Sequence, residues 1–190
     1  MAGRPGKVRI IGGEWRGRKL NIADAEGLRP TPDRVRETLF NWLQDVVPGS
    51  RCLDLFAGSG ALGVEAASRG AKHVDLVEQS PVVARCLRAE LERLGSAKLQ
   101  LSQQEALVCL SHAGEPYDLV FLDPPFGKDL LRPCIENLEK EDRLAPLAWV
   151  YLECERDLEL DELPTTWRLH RHKKAGQVGY HLYIRDAANG

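Results

Sequence analysis

The chain has 190 residues, 26 Lys and Arg against 28 Asp and Glu, a formal net charge of −2, and 43% apolar residues. Those values suit one domain with a small appendage and a real core. No apolar run is long enough to span a bilayer, and the N-terminus lacks a signal-peptide-like stretch. A cytoplasmic protein without a membrane partner is expected. Cys52, Cys86, Cys109, Cys134 and Cys154 are odd in number and form no CxxC pair, so free thiols in a reducing compartment are expected. The five histidines show no zinc-ligand spacing, and no metal is expected; His170 and His172 alternate along a strand and read as a solvated face.

The net charge hides an uneven distribution. Residues 1–36 hold nine basic side chains against four acidic ones, and residues 163–190 hold five against one. Basic ends around an acidic body predict that the ends meet a polyanion. Trp15 and Tyr180 interleave with these charges, which suits a surface facing a polyanion better than a solvated tail.

Residues 1–7 read as a flexible basic tail. Short alternating stretches around Gly12, Gly13 and Gly17 predict a hairpin pairing Val8–Ile11 with Lys19–Ile22. Thr31-Pro32-Asp33 opens a helix, with Thr31 as N-cap, Pro32 at the first position and Asp33 complementing the positive helix end. Val35, Leu39, Trp42, Leu43 and Val46 form its apolar stripe, and Pro48-Gly49 ends it. From residue 51 strands alternate with helices. The strands are 51–56, 73–78, 98–102, 117–123 and 149–153, and the helices begin near residues 61, 80, 104 and 130. Leu119–Leu122 is apolar throughout, as a strand covered on both faces must be. Right-handed crossovers then give an α/β, doubly wound, Rossmann-like parallel sheet. Trp167–Arg171 and Val178–Ile184 flank Ala175-Gly176-Gln177 and predict a terminal antiparallel hairpin. Two parts follow: residues 1–47, a basic hairpin and helix, and residues 48–190, the α/β domain.

Two motifs carry chemistry. Asp54-Leu55-Phe56-Ala57-Gly58-Ser59-Gly60-Ala61-Leu62-Gly63 follows the first strand of the sheet and opens a helix. Its glycines permit a tight turn and a close ligand approach, and they satisfy GxGxxG. Glu78, at the end of the second strand, is placed to bind both hydroxyls of a ribose. Together they predict an adenosine-bearing cofactor without saying which. Asp123-Pro124-Pro125-Phe126 follows the fourth strand, next to the first strand at the topological switch point. Successive prolines lack N–H donors and fix φ, so they make a rigid wall of acceptors. Asp123 and the main-chain carbonyls suit the two N–H donors of an exocyclic amine, and Phe126 offers a face for a flipped base. A carboxylate beside an apolar strand needs such a reason.

The tetrad resembles the (D/N)PP(Y/F) motif of methyltransferases that act on exocyclic base amines. The wider pattern resembles the ribosomal RNA small subunit methyltransferase D family. The matching stretches run from Arg9 to Arg18, Arg29 to Leu43, Asp54 to Gly63, Asp123 to Phe126 and Ala175 to Val178. The resemblance implies an S-adenosylmethionine-dependent methyltransferase with a class I fold, acting on N2 of the guanine at position 966 of 16S rRNA. It implies a substrate within the small ribosomal subunit or its assembly intermediate, and a monomer is expected. It places Asp54, Phe56, Gly58, Ser59, Gly60, Glu78 and Gln79 around the cofactor. Glu105-Ala106 stands where the family carries an Asp- or Asn-Ala pair against adenine. Arg9, Trp15, Arg16, Arg18 and Lys19 of the hairpin would grip rRNA. Arg34 and Arg36 lie near the pocket mouth, as phosphate contacts or as surface groups, solvated or paired with Glu37.

Other readings share some of these features. A DNA or RNA adenine-N6 methyltransferase would also carry DPPF, but 190 residues leave no sizeable target-recognition domain for duplex DNA. An NAD-dependent oxidoreductase would share GxGxxG but needs a hydride-transfer pair that the sequence does not show. A non-catalytic RNA-binding module would not need Glu78 and DPPF together.

Overall fold

The computed structural model describes residues 6–25, 28, 30–158, 160 and 163–187. Most of the expected basic tail and Arg29 lie outside these residues.

A two-stranded antiparallel hairpin, β1 (Lys7–Arg9) and β2 (Lys19–Asn21), opens the chain. It is shorter than its alternation implied. The stretch between its strands is turn, held by Ile10 N–H donating to Arg18 O and Gly17 N–H to Ile10 O. Helix α1 (Asp33–Trp42) follows. Pro32, with φ −56°, occupies the N-cap itself, one residue later than expected. Thr31 is thereby freed, and its hydroxyl donates to Glu153 instead. Beyond Trp42 the chain continues in turns that keep Leu43 and Val47 buried.

The rest is a doubly wound sheet. Strands β3 (Arg51–Asp54), β4 (His73–Glu78), β5 (Leu99–Gln103), β6 (Tyr117–Leu122) and β7 (Leu144–Glu155) are parallel, and β8 (Trp167–Ala175) and β9 (Val178–Asp186) close the sheet antiparallel. The strand order is β5-β4-β3-β6-β7-β9-β8. Helices α2 (Ala61–Ser68), α3 (Pro81–Leu94), α4 (Ala106–Leu110) and α5 (Leu131–Lys140) make the crossovers. The core accordingly falls into two layers. The hairpin, α1, α2 and α3 cover one face of the sheet, with Phe40, Leu76, Phe121 and Tyr151 at its centre. Helices α4 and α5 cover the other, over Leu53, Val120, Leu122 and Val150. All five cysteines are free thiols.

All eight residues of α2 are buried, including Glu65. This carboxylate accepts the N–H groups of Ile11 and Gly12 at 2.8 Å each, and it pairs with Arg69 at 2.7 Å and Arg36 at 3.4 Å. A charge at such a position is tolerable only when fully partnered. The partners come from the hairpin, α1 and α2, so Glu65 locks the N-terminal segment onto the domain.

That lock corrects the expectation for Arg36. Its side chain is fully buried, donating to Thr31 O (3.1 Å) and Arg9 O (2.9 Å) and pairing with Asp33 (2.6 Å) and Glu65. It cannot meet a phosphate, and Glu37 is not among these partners. Trp15 is also buried, with its main-chain N–H donating to Ser68 Oγ; it is core rather than an RNA contact. Tyr180 is likewise buried. The two histidines do not share a site: a bulge between Leu169 and Arg171 breaks their alternation, His170 packs edge-on to Trp149, and His172 lies beside His181.

Candidate active site

Adjacent pairing of β3 with β6 brings the two motifs to one crevice at the C-terminal ends of the parallel strands. Gly58 (φ +52°) and Gly60 (φ +76°) turn the chain from β3 into α2 in the left-handed region, where L side chains are strained. Gly63 serves another purpose. A Cβ there would stand 2.9 Å from Leu76 Cδ2 and 3.0 Å from Asp54 Oδ2. Its absence lets α2 approach closely enough for Gly63 N–H to donate to Asp54 Oδ2 at 2.8 Å.

Glu78 ties the glycine turn to the next strand end. Its carboxylate accepts Gly58 N–H at 3.0 Å and Ser80 N–H at 2.7 Å. Its main-chain carbonyl accepts Gln104 N–H, which draws Glu105 and Ala106 alongside. Glu105 is exposed at the N-cap position of α4, without a side-chain capping bond, while Ala106 is buried. Phe56 is half-buried, Ser59 buried and Gln79 exposed. The residues expected around an adenosine therefore converge along the ends of β3, β4 and β5. The donor set fits the group: half-buried Glu78 keeps lone pairs for hydroxyls, and the turn leaves the backbone bare.

At the end of β6, Asp123 is half-buried, Pro124 is buried, and Phe126 is 43% exposed. The sequence did not reveal a third carboxylate. Leu122 of β6 pairs with Leu152 of β7, so the next residues along, Asp123 and Glu153, lie side by side. Glu153 Oε1 accepts the hydroxyls of Thr31 (2.8 Å) and Tyr151 (2.9 Å). Burial, then Glu153 and Asp54, raise Asp123 well above the usual carboxylate range. Burial also raises Glu153, against the Thr31 and Tyr151 hydrogen bonds. Burial is again the largest cause at Asp54, which is pushed up to about 7 despite the Gly63 amide, with Glu78 and Glu153 adding to the rise. None of the ion pairs among the described residues involves Asp54, Asp123 or Glu153. Such an acidic cluster is suited to receiving positive charge.

The cluster has a consequence for stability. A carboxyl whose folded pKa exceeds its unfolded value stabilises the fold fully at low pH, and the contribution is lost as pH rises through the folded value. For Asp54, raised from 3.8 to about 7, the loss runs between those pH values and is on the order of 4 kcal/mol. Thermal midpoints at pH 5 and pH 8 should therefore differ, with the protein less stable at pH 8. Asp54→Asn keeps an oxygen for Gly63 N–H and should narrow the gap; an unchanged gap would contradict the assignment.

The strand order, the glycine turn tied to Glu78 and the acidic tetrad at the neighbouring strand end define a class I methyltransferase. Comparison with known proteins narrows the class. The family described as Conserved hypothetical protein 95 matches residues 8–184. The chain is 49% identical over 182 residues to ribosomal RNA small subunit methyltransferase D of Escherichia coli (strain K12), covering 96% of this chain and 92% of that one. It is 47% identical to the protein of the same name from Haemophilus influenzae, covering 94% of each. The solved structure of yhhF from Escherichia coli superposes with a TM-score of 0.88 at 48% identity, covering 96% of this chain and 99% of that one. The chain belongs to the ribosomal RNA small subunit methyltransferase D family.

Proposed function

We propose that the protein transfers a methyl group from S-adenosylmethionine to the exocyclic N2 of a guanine in 16S rRNA, that guanine being position 966. The observation that carries this reading is the meeting of Asp123 with the Glu78-tied glycine turn in one crevice. Asp54, Phe56, Gly58, Ser59, Gly60, Glu78, Gln79, Glu105 and Ala106 would hold the cofactor. When bound, the cofactor supplies an electrophilic methyl group.

The chain's own residues do the rest. An aromatic amine is a poor nucleophile because its lone pair is delocalised into the ring. Asp123 and a carbonyl of the Pro124-Pro125 wall accept its two N–H groups, favour pyramidalisation and expose the lone pair. Phe126 stacks on the extruded base. As the nitrogen turns cationic, Asp123, Glu153 and Asp54 stabilise the developing charge in place, without reorganisation. The departing proton leaves toward Asp123, which already accepts one of the amine's N–H groups. Positioning and electrostatics together account for the acceleration.

Residues 1–47 serve as the RNA-binding extension of the domain at 48–190. Arg9, Arg16, Arg18 and Lys19 of the hairpin and Arg34 of α1 are exposed and serve as the phosphate contacts. The substrate is 16S rRNA within the small subunit or its assembly intermediate, in the bacterial cytoplasm, and the protein acts as a monomer. No described helix is long and apolar enough to cross a membrane. The adenine-N6 alternative is not favoured, since the named relatives are ribosomal RNA enzymes.

Glu78→Ala tests the cofactor assignment. It removes a charged acceptor and leaves the Gly58 and Ser80 amides without it, so calorimetry should show S-adenosylmethionine bound roughly 10- to 100-fold more weakly. A variant that loses only RNA affinity would show Glu78 to belong elsewhere.

A further inference from the structure

Beside the crevice lies a second concavity, separate from the residues assigned to the cofactor and the reacting amine. It has a volume of about 230 Å³ and is lined by Arg34, Val35, Thr38, Leu39 and Trp42 of α1, by Lys173, Lys174, Ala175 and Tyr180 of the terminal hairpin, and by Tyr151 on its floor. We propose that this groove binds a nucleotide of single-stranded RNA flanking the target guanine, with its base against Trp42 and its phosphates held by Arg34, Lys173 and Lys174. The inference deepens the RNA methylation reading and rests on it.

Three observations converge. First, the sheet register aligns the groove with the active site. Asp123 lies beside Glu153, Glu153 pairs with Tyr180, and Tyr180 pairs with Lys173. Paired residues share a face, so this row runs from the reacting amine's acceptor to the edge of the groove. Tyr151, on the floor, bonds Glu153 directly. Lys173 stands three strand spacings from Asp123, about 14 Å. That is too far for the base whose amine meets Asp123, and within reach of its neighbour.

Second, the groove's chemistry is that of a nucleotide. Its walls are apolar, and the indole of Trp42 is half-buried, so one part packs on the core and another faces the groove. Its volume lies below the ~300–1,000 Å³ of sites for drug-sized ligands, so it suits one planar base. Arg34, Lys173 and Lys174 are exposed on the rim. An aromatic platform with a cationic track is how proteins hold single strands. Third, these cations are available. Among the described residues, the only ion pair of the three joins Lys174 to Asp157 at 3.6 Å, with Asp157 85% exposed. Such surface pairs are weak and readily exchanged.

The test uses the full chain and two probes: a fluorescein-labelled single-stranded RNA oligonucleotide carrying one guanine, read by anisotropy across a salt series, and small ribosomal subunits from cells lacking the modification. The variants are K173E/K174E, W42A and W42F. The charge variant should bind the oligonucleotide at least tenfold more weakly. Its log affinity should depend on log salt with a slope shallower by about 1.4, for two lost contacts at ~0.7 each. W42A should weaken binding roughly tenfold and W42F should restore most of it. The KM for subunits should rise in parallel, while calorimetric affinity for S-adenosylmethionine stays at the wild-type value.

Variants matching wild type in oligonucleotide binding, slope and KM would overturn the groove assignment while leaving the methylation reading intact. A raised KM for subunits with unchanged oligonucleotide binding would give the groove to a protein of the substrate particle and overturn it equally. Failure of the methylation reading itself looks different: wild-type protein would then place no methyl group on guanine N2 of the subunits, whatever the variants do to oligonucleotide binding, and the groove, argued as flanking the target guanine, falls with it.

Discussion

Asp123→Ala is expected to reduce methyl transfer by at least 10²–10³-fold, the range seen when one preorganised polar group is removed from a reacting centre, while S-adenosylmethionine affinity stays near wild type. The reasoning is geometric. Asp123 ends β6 and lies beside Glu153, whereas the turn assigned to the cofactor is tied by Glu78 at the end of β4. Removing the carboxylate leaves the amine without its acceptor and its lone pair in the ring. Asp123→Asn should retain more activity, because an amide oxygen still accepts one N–H. Single-turnover transfer and calorimetry on the same preparations separate the two effects. A large loss of cofactor binding by Asp123→Ala would show the residue to be misplaced.

Arg36→Ala should destabilise the fold more than any of the active-site or groove substitutions. The guanidinium is fully buried and serves Asp33, Glu65, Thr31 O and Arg9 O at once. Truncation leaves Glu65 short of one cation in the interior. Breaking a buried pair in this way costs about 3–5 kcal/mol, which for a protein of this length lowers the thermal midpoint by roughly 10 °C. Lys cannot replace the planar fork that reaches four acceptors, so Arg36→Lys should recover only part of the loss. The effect should extend to the active site, because Arg36 holds the carbonyl of Thr31 and the Thr31 hydroxyl bonds Glu153. Thermal unfolding monitored by circular dichroism checks the first point. A midpoint unchanged within a degree or two would mean that the cluster contributes little.

Arg36 also shows where sequence reading reached its limit. Arg34 and Arg36 look equivalent in a basic stretch, yet residues two apart on a helix lie on nearly opposite sides. Only one of them could face the pocket mouth, and burial of Leu39 and Phe40 decides which. Trp15 misled in a similar way: an aromatic residue among charges reads as an RNA face, but it buries its ring while Glu14 and Arg16 beside it stay exposed. Thr31 carried a good capping signal, and tertiary demand from Glu153 outweighed it. The sheet was far more legible. Strand 73–78, strand 117–123 (which ends one residue earlier, at Leu122) and the helices near 61 and 80 follow from apolar runs separated by turn residues, and the switch-point rule then joins Asp54, Glu78 and Asp123. Glu153 was not legible, because its partnership with Asp123 depends on a register set across an entire helical crossover. An acidic residue in an otherwise apolar strand, as at Asp123, was the one signal that could have found it.

The most direct test is methyl transfer from radiolabelled S-adenosylmethionine to small ribosomal subunits from cells lacking the endogenous enzyme, followed by nucleoside analysis. Label in N2-methylguanine, at one site and abolished by Asp123→Ala, is the expected result. Label in N6-methyladenine, or no label from a protein that binds the cofactor normally, would contradict guanine-N2 methylation by this crevice.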